Sequence, residues 1–210
     1  MQKAVNAGTD FPEKDDARAR LAVLAIKPGA GDAGARVELD KYLGPHPNDP
    51  AALTRLAAIE ERDGKLNEAI KTYEKIVADD PLYAPAVRQL VLLYADLPAD
   101  IDTTNPYDLA LKAIEAYPGD AELVKVLGIF NYRRKLYRRS LQLLTEAFTK
   151  RKDDPELLYY LGETHYQLKD WSRCKAMLEQ VVNLNLPAGL ADEATRTLAQ
   201  CTDNIPPAQP

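Results

Sequence analysis

Histidine and cysteine are scarce in this 210-residue sequence, two of each, and tryptophan occurs once. Two cysteines are too few for a disulfide scaffold or a zinc site. His46 and His165 have no cysteine or second histidine at ligand spacing. No G-x-S-x-G, phosphate-loop or H-E-x-x-H motif is present, so the sequence offers no hydrolase elbow, nucleotide loop or zinc-protease helix. No catalytic residue, metal ligand or cofactor is assigned, and the chain is read as a non-enzyme. No segment approaches the roughly 20 apolar residues of a membrane-spanning helix, and residues 1–16 lack the apolar core of a signal peptide. Basic residues are not in excess: 27 Lys and Arg stand against 32 Asp and Glu, a net charge of −5, which argues against nucleic-acid binding by the whole surface. No convincing alternating strand appears.

Helical periodicity is abundant, and it repeats. Leu56, Leu90, Leu127 and Leu161 lie 34, 37 and 34 residues apart, each followed by Ala57, Val91, Gly128 or Gly162. Leu39, Tyr73, Ala110, Leu144 and Leu178 keep the same step, with one three-residue insertion. A period in this range marks a stack of supersecondary units, none of which can bury its apolar face alone. Each unit reads as two antiparallel helices joined by a short turn, at about 15–27 with 32–43, 50–62 with 66–79, 84–96 with 106–117, 120–133 with 136–151, and 155–168 with 171–185. Pro50 and Pro155 suit the first helical turn, and Asp49 and Asp154 before them suit caps. A last helix near 188–202 is apolar on one face and polar on the other, as the end of an open stack must be.

These features resemble the tetratricopeptide repeat family, whose unit reads W-x2-L-G-x2-Y, then A-x3-F, then P. Leu161-Gly162 with Cys174, Leu178 and Pro187, Leu56-Ala57 with Ala69, Tyr73 and Pro81, and Leu127-Gly128 with Ser140 and Leu144 carry the likeness. It covers residues 16–187 as five repeats, the first degenerate with Ala22-Val23 at the Leu-Gly pair, plus the capping helix. The implied fold is all-α, a right-handed α-solenoid of antiparallel helix pairs. Residues 1–14 are expected to be a disordered N-terminal segment, 15–202 the repeat domain, and 203–210 a Pro-rich tail.

The repeat serves as a ruler for other motifs. Gly29-Ala30-Gly31-Asp32-Ala33-Gly34 satisfies the dinucleotide fingerprint G-x-G-x-x-G. It lacks the following strand and ribose-binding acid, and it falls where every other repeat turns, so an inter-helix turn is preferred over nucleotide binding. Asp96, Asp100, Asp102 and Asp108 gather around the insertion but break the calcium-loop pattern; turn and cap roles account for them. Arg133, Arg134, Lys135, Arg138 and Arg139 form a basic turn, read as a solvated edge or a seat for an acidic protein. His165 occupies a packing position, and Trp171 is expected to pack locally. Cys174 shares its register with Ala35, Ala69 and Ser140, which asks for a small side chain. A hairpin about Pro187 would put Cys174 and Cys201 at similar heights. Helix axes 8–10 Å apart rarely meet the Cα spacing of a bridge, so two small buried residues are preferred, with a single disulfide left open.

In the family that this chain resembles, the first helices of the repeats line a concave groove that holds extended peptides or partner helices. By register the groove residues are Thr54, Arg55, Ala58, Arg62, Arg88, Leu92, Lys125, Ile129, Tyr132, Arg133, Tyr159, Glu163 and Tyr166. Such a surface is basic through its middle and tyrosine-rich toward its C-terminal end, suited to an acidic or aromatic-containing protein segment. A subgroup grips a terminal carboxylate with Lys and Asn at set positions; here those positions hold Thr54, Ala58, Gln89, Glu122 and Val126, so that clamp is absent. The expected function is a non-catalytic protein–protein interaction scaffold. The alternatives are a structural or self-assembly module of a cell-envelope or export complex, and, through the 29–34 turn, a nucleotide-binding protein. The compartment, cytoplasmic or exported, and self-association stay open.

Overall fold

The computed structural model describes residues 14–27, 33–97, 104–182, 184, 186 and 188–205. Among them are eleven helices and no strand: α1 (Lys14–Ala25), α2 (Ala33–Leu43), α3 (Pro50–Arg62), α4 (Leu66–Asp79), α5 (Ala84–Ala95), α6 (Thr104–Ala116), α7 (Ala121–Arg133), α8 (Tyr137–Phe148), α9 (Pro155–Gln167), α10 (Trp171–Val181) and α11 (Ala188–Asn204). The all-α helical-repeat class is as the period requires. No described helix is long and apolar enough to cross a membrane. Residues 1–13, Gly29 to Asp32 of the glycine run, Asp100 and Asp102 of the inserted loop, and the end of the Pro-rich tail lie outside the described residues.

Local chemistry starts and stops the helices where the sequence marks them. Asp49 accepts from the backbone N–H groups of Ala51 and Ala52, with Pro50 at the first position of α3. Asp120 does the same for α7 through Glu122 and Leu123, Asp154 for α9 through Leu157, and Asp170 for α10 through Arg173. Each answers N–H groups that a helix start leaves unpaired. The turns after α3, α7 and α9 share one geometry. The residue at positive φ is Gly64 (74°), Lys135 (60°) and Lys169 (60°), and the next N–H reaches back to the carbonyl of Glu60, Asn131 and His165 respectively. This is the left-handed helix stop favoured by glycine; two of the three turns make it with lysine.

The chain divides into two compact units, Met1–Leu93 and Tyr94–Pro210, the division falling within α5. In the first, Val23, Ala35, Leu39, Tyr42, Ala52 and Ile59 form a core among α1, α2 and α3. Tyr73 of α4 is fully buried, its hydroxyl donating to Glu61 at 2.7 Å. Buried Glu60 accepts from Thr72 at 2.9 Å, which satisfies an otherwise costly group.

In the second unit, α9 packs against α7, α8, α10 and α11. Every residue of α7 from Leu123 to Asn131 and of α9 from Leu157 to His165 is buried. Close packing explains the glycines of the Leu-Gly pairs: a Cβ on Gly128 would come within 2.6 Å of Leu144, and one on Gly162 within 2.5 Å of Leu178.

Two sequence expectations are adjusted. The second helix of the fifth pair ends at Val181 rather than near 185, where Leu184 N–H turns back to the Val181 carbonyl; the Asn-rich approach to Pro187 disfavours helix. Cys174 of α10 and Cys201 of α11 are joined by a disulfide, against the preferred reading of two separate thiols. The small residues at this register let the helices approach until the two Cα atoms are 6.2 Å apart, inside the bridging range. His165 is buried as expected, its Nδ1 3.5 Å from the Asp170 carboxylate. Burial lowers its pKa from the ordinary histidine value, with Asp170 opposing.

Candidate functional site

The register positions proposed for a groove have different fates in the two units. In the first, the Thr54 hydroxyl donates to the Pro50 carbonyl at 2.6 Å. Arg55 is consumed by three carbonyls, Ile26, Ala51 and Leu24, at 2.8–2.9 Å. Arg62 is exposed and paired with its neighbour Asp63. Arg88 donates to Gln89 at 3.1 Å, and Ala58 and Leu92 are half-buried.

In the second unit the same register runs into packed interior. Ile129 is fully buried and presents no surface. Lys125 is 5% exposed, and its ammonium meets Glu122 at 2.7 Å, Glu156 at 2.9 Å and Asp154 at 3.2 Å. Burial works against its charge, but Glu156, Glu122 and Asp154 outweigh burial and hold the ammonium above its ordinary range. Asp154 is pushed up by burial and pulled below the usual carboxylate range by the Leu157 N–H, Lys125 and Arg151. The lysine is a structural ion inside the unit rather than a free cation for a partner. Tyr166 is half-buried and meets Trp171 edge-on, ring centroids 5.7 Å apart.

Tyr132, Arg133 and Tyr159 do converge. They line a cleft of about 390 Å³ together with Glu156 and Tyr160 of α9, Leu190 and Glu193 of α11, and Ala95, Asp96 and Leu97 at the end of α5. Three rings form its wall: Tyr132 meets Tyr160 edge-on at 5.4 Å, and Tyr160 meets Tyr159 at 5.0 Å. Arg133 Nη2 donates to the Ala95 carbonyl at 2.7 Å and closes the last turn of α5, while its Nε and Nη1 lack acceptors. The tyrosines keep their protons. Burial raises the pKa of Tyr132 and Tyr159, as does the charge of Glu163. Tyr132 donates to Glu163 at 3.3 Å, and Glu193 beside Tyr159 raises the pKa of that tyrosine further.

The cleft is acidic. Asp96, at the mouth of the cleft, is pushed up from its ordinary value by partial desolvation and by Glu156, against the pull of Lys125 and Arg133. Glu163, 3% exposed behind the tyrosine wall, is likewise raised by burial, and its Oε1 accepts no hydrogen bond of good geometry. Register alone points to Tyr132, Arg133 and Tyr159. It misses Asp96, Leu97, Leu190 and Glu193, which come from a helix end and the capping helix, outside the repeated positions.

Among the described residues of the basic turn, Arg134 lies over the Tyr107 ring at 4.3 Å and Arg139 donates to Gln142 at 2.6 Å.

No curated protein matches the chain significantly by sequence. Solved structures match its fold. A point mutant of MamA covers 81% of this chain and 99% of its own length at TM-score 0.67 and 16% identity. MamA residues 41 to the end from Desulfovibrio magneticus cover 89% and 96% at TM-score 0.61 and 13% identity. Pseudomonas aeruginosa PilF covers 89% and 90% at TM-score 0.62 and 18% identity. At these identities the likeness is one of fold. The sequence profile of the tetratricopeptide repeat matches residues 51–82 and 156–185, which are α3–α4 with the following turn and α9–α10 with its exit. Two segments of the chain are thus tetratricopeptide-like, and cap, turn and small-residue positions recur at that period in the helix pairs between them.

Proposed function

We propose that this chain is a non-catalytic interaction scaffold that holds a segment of a partner protein in the cleft among α5, α7, α9 and α11. The observation that carries the reading is the cleft itself: a concave site of about 390 Å³ walled by Tyr132, Tyr159 and Tyr160 on the closely packed helices α7 and α9. Tyrosine supplies large contact area at low entropic cost, and a rigid site loses little freedom on binding. Photo-crosslinking tests it. A benzophenone amino acid replacing half-exposed Leu190 is expected to join a defined segment of another protein, identified by mass spectrometry, while the same probe at exposed Leu82 does not. Equal labelling from both positions overturns the reading.

The Cys174–Cys201 bridge supports residence in an oxidising compartment, where such bonds form and persist. Alkylation of protein taken directly from cells, followed by mass measurement, checks this. Two blocked thiols in the native protein would place it in a reducing one. Assembly of copies into a larger structure, the other reading of the fold, predicts a concentration-dependent mass in light scattering.

A further inference from the structure

We propose that the cleft of the second unit is a seat for a basic side chain, lysine or arginine, carried by the partner segment. This rests on the interaction reading above and reverses the charge that the sequence alone suggests for the partner.

The cations expected to attract an acidic segment are engaged within the chain. Arg55 holds three carbonyls, Arg62 holds Asp63 and Lys125 is enclosed by three carboxylates; Arg133 gives one N–H to the Ala95 carbonyl, keeps Nε and Nη1 unpaired, and is outnumbered at the cleft by Asp96, Glu156 and Glu193. The acids at the cleft are placed otherwise. Asp96 and Glu193 are exposed, and neither forms an ion pair among the described residues. Glu156 is neutralised by Lys125, and Glu163 lies buried behind the Tyr132–Tyr159 wall, accepting from Tyr132. A low-dielectric wall strengthens the attraction of these charges for a cation. The walls are three tyrosine rings whose faces and edges can flank an alkyl stem and attract an ammonium or guanidinium group. The volume, near the lower end of ligand sites, suits one long side chain rather than a bulky ligand. Leu97 and Leu190 at the rim suit the stem of that chain.

The test uses the full oxidised chain and three synthetic peptides, acetyl-Gly-Ser-Xaa-Ala-Xaa-Ser-Gly-amide with Xaa as lysine, glutamate or glutamine. Tyrosine ring signals are followed by NMR. The lysine peptide is expected to shift the rings of Tyr132, Tyr159 and Tyr160 saturably. The paired change Asp96→Asn with Glu193→Gln is expected to weaken it at least fivefold. A charge-matched control, Glu68→Gln with Glu115→Gln at exposed helix positions, should stay within twofold of the parent. Equal weakening by both pairs would mean attraction to bulk charge and overturns the proposal. Saturable shifts of the same rings by the glutamate peptide overturn it while leaving the cleft as the docking site. Cleft rings unmoved by every peptide overturn the basic-seat proposal, while the crosslinking at Leu190 decides the docking site independently.

Discussion

The helix pairs α3–α4 and α9–α10 follow one register, yet they present their first helices differently. In α3 buried residues are interspersed with half-buried Thr54, Arg55 and Ala58. In α9 burial is continuous from Leu157 to His165, because α7, α8, α10 and α11 all pack against it. The small residue of the Leu-Gly pair changes with the packing: Ala57 in α3, Gly162 in α9, where even one methyl would collide with Leu178. Register therefore states which way a residue faces, but the number of covering helices decides whether that face is a surface.

The sharpest way to break the comparison is at Lys125. Lys125→Met leaves Glu122, Asp154 and Glu156 crowded without their shared cation and should cost about 3–5 kcal/mol in urea unfolding. Arg62→Met, at the end of the less covered α3, should cost under about 1 kcal/mol. Sequence reading alone makes Lys125 a groove-facing cation; its burial makes its replacement a stability mutation instead.

Next is the bridge. Replacing both cysteines by alanine removes a cross-link that closes 27 residues of sequence, and should lower stability by about 3 kcal/mol. Dithiothreitol should lower the melting temperature of the parent and leave the variant unchanged. A parent insensitive to reductant would show the two thiols to be unlinked.

Gly162→Ala should cost about 1–3 kcal/mol through overpacking against Leu178. Gly189→Ala, where the methyl meets nothing within 4 Å, should be neutral or slightly stabilising. If Gly162→Ala costs no more than Gly189→Ala, close approach does not explain the Leu-Gly pairs.

The smallest effects lie in the turns. Lys135→Gly and Lys169→Gly, each at φ 60°, should raise stability by at most about 1 kcal/mol. Gly64→Ala, at φ 74°, should lose about 1 kcal/mol. Lysine-to-glycine changes that fail to stabilise, or a Gly64→Ala that costs nothing, would break the shared turn geometry.

Much of the fold is legible because its signals are local and periodic. Asp49 and Asp154 announce caps within three residues of sequence, and the spacing of Leu127 and Leu161 sets the pairs. The cleft is legible only in part. Tyr132 and Tyr159 follow from register, whereas Asp96 and Glu193 belong to segments that break the period. The burial of Ile129 depends on neighbours far along the chain. The disulfide was unreadable because it depends on interaxial distance, which the small side chains around Cys174 and Cys201 set only once the helices have packed.

A stack whose layers touch mainly their neighbours unravels from its ends, as terminal layers have support on one side alone. The cross-link between α10 and α11 ties α11 to the helix pair it packs on: if α11 peels away, it stays tethered beside its seat, ready to re-zip. Since α11 also supplies Leu190 and Glu193, the bridge fastens a helix that builds the cleft. Under mechanical load applied to its C-terminus, the molecule should yield first outside the tethered loop, and pulling before and after reduction should change where the first rip occurs.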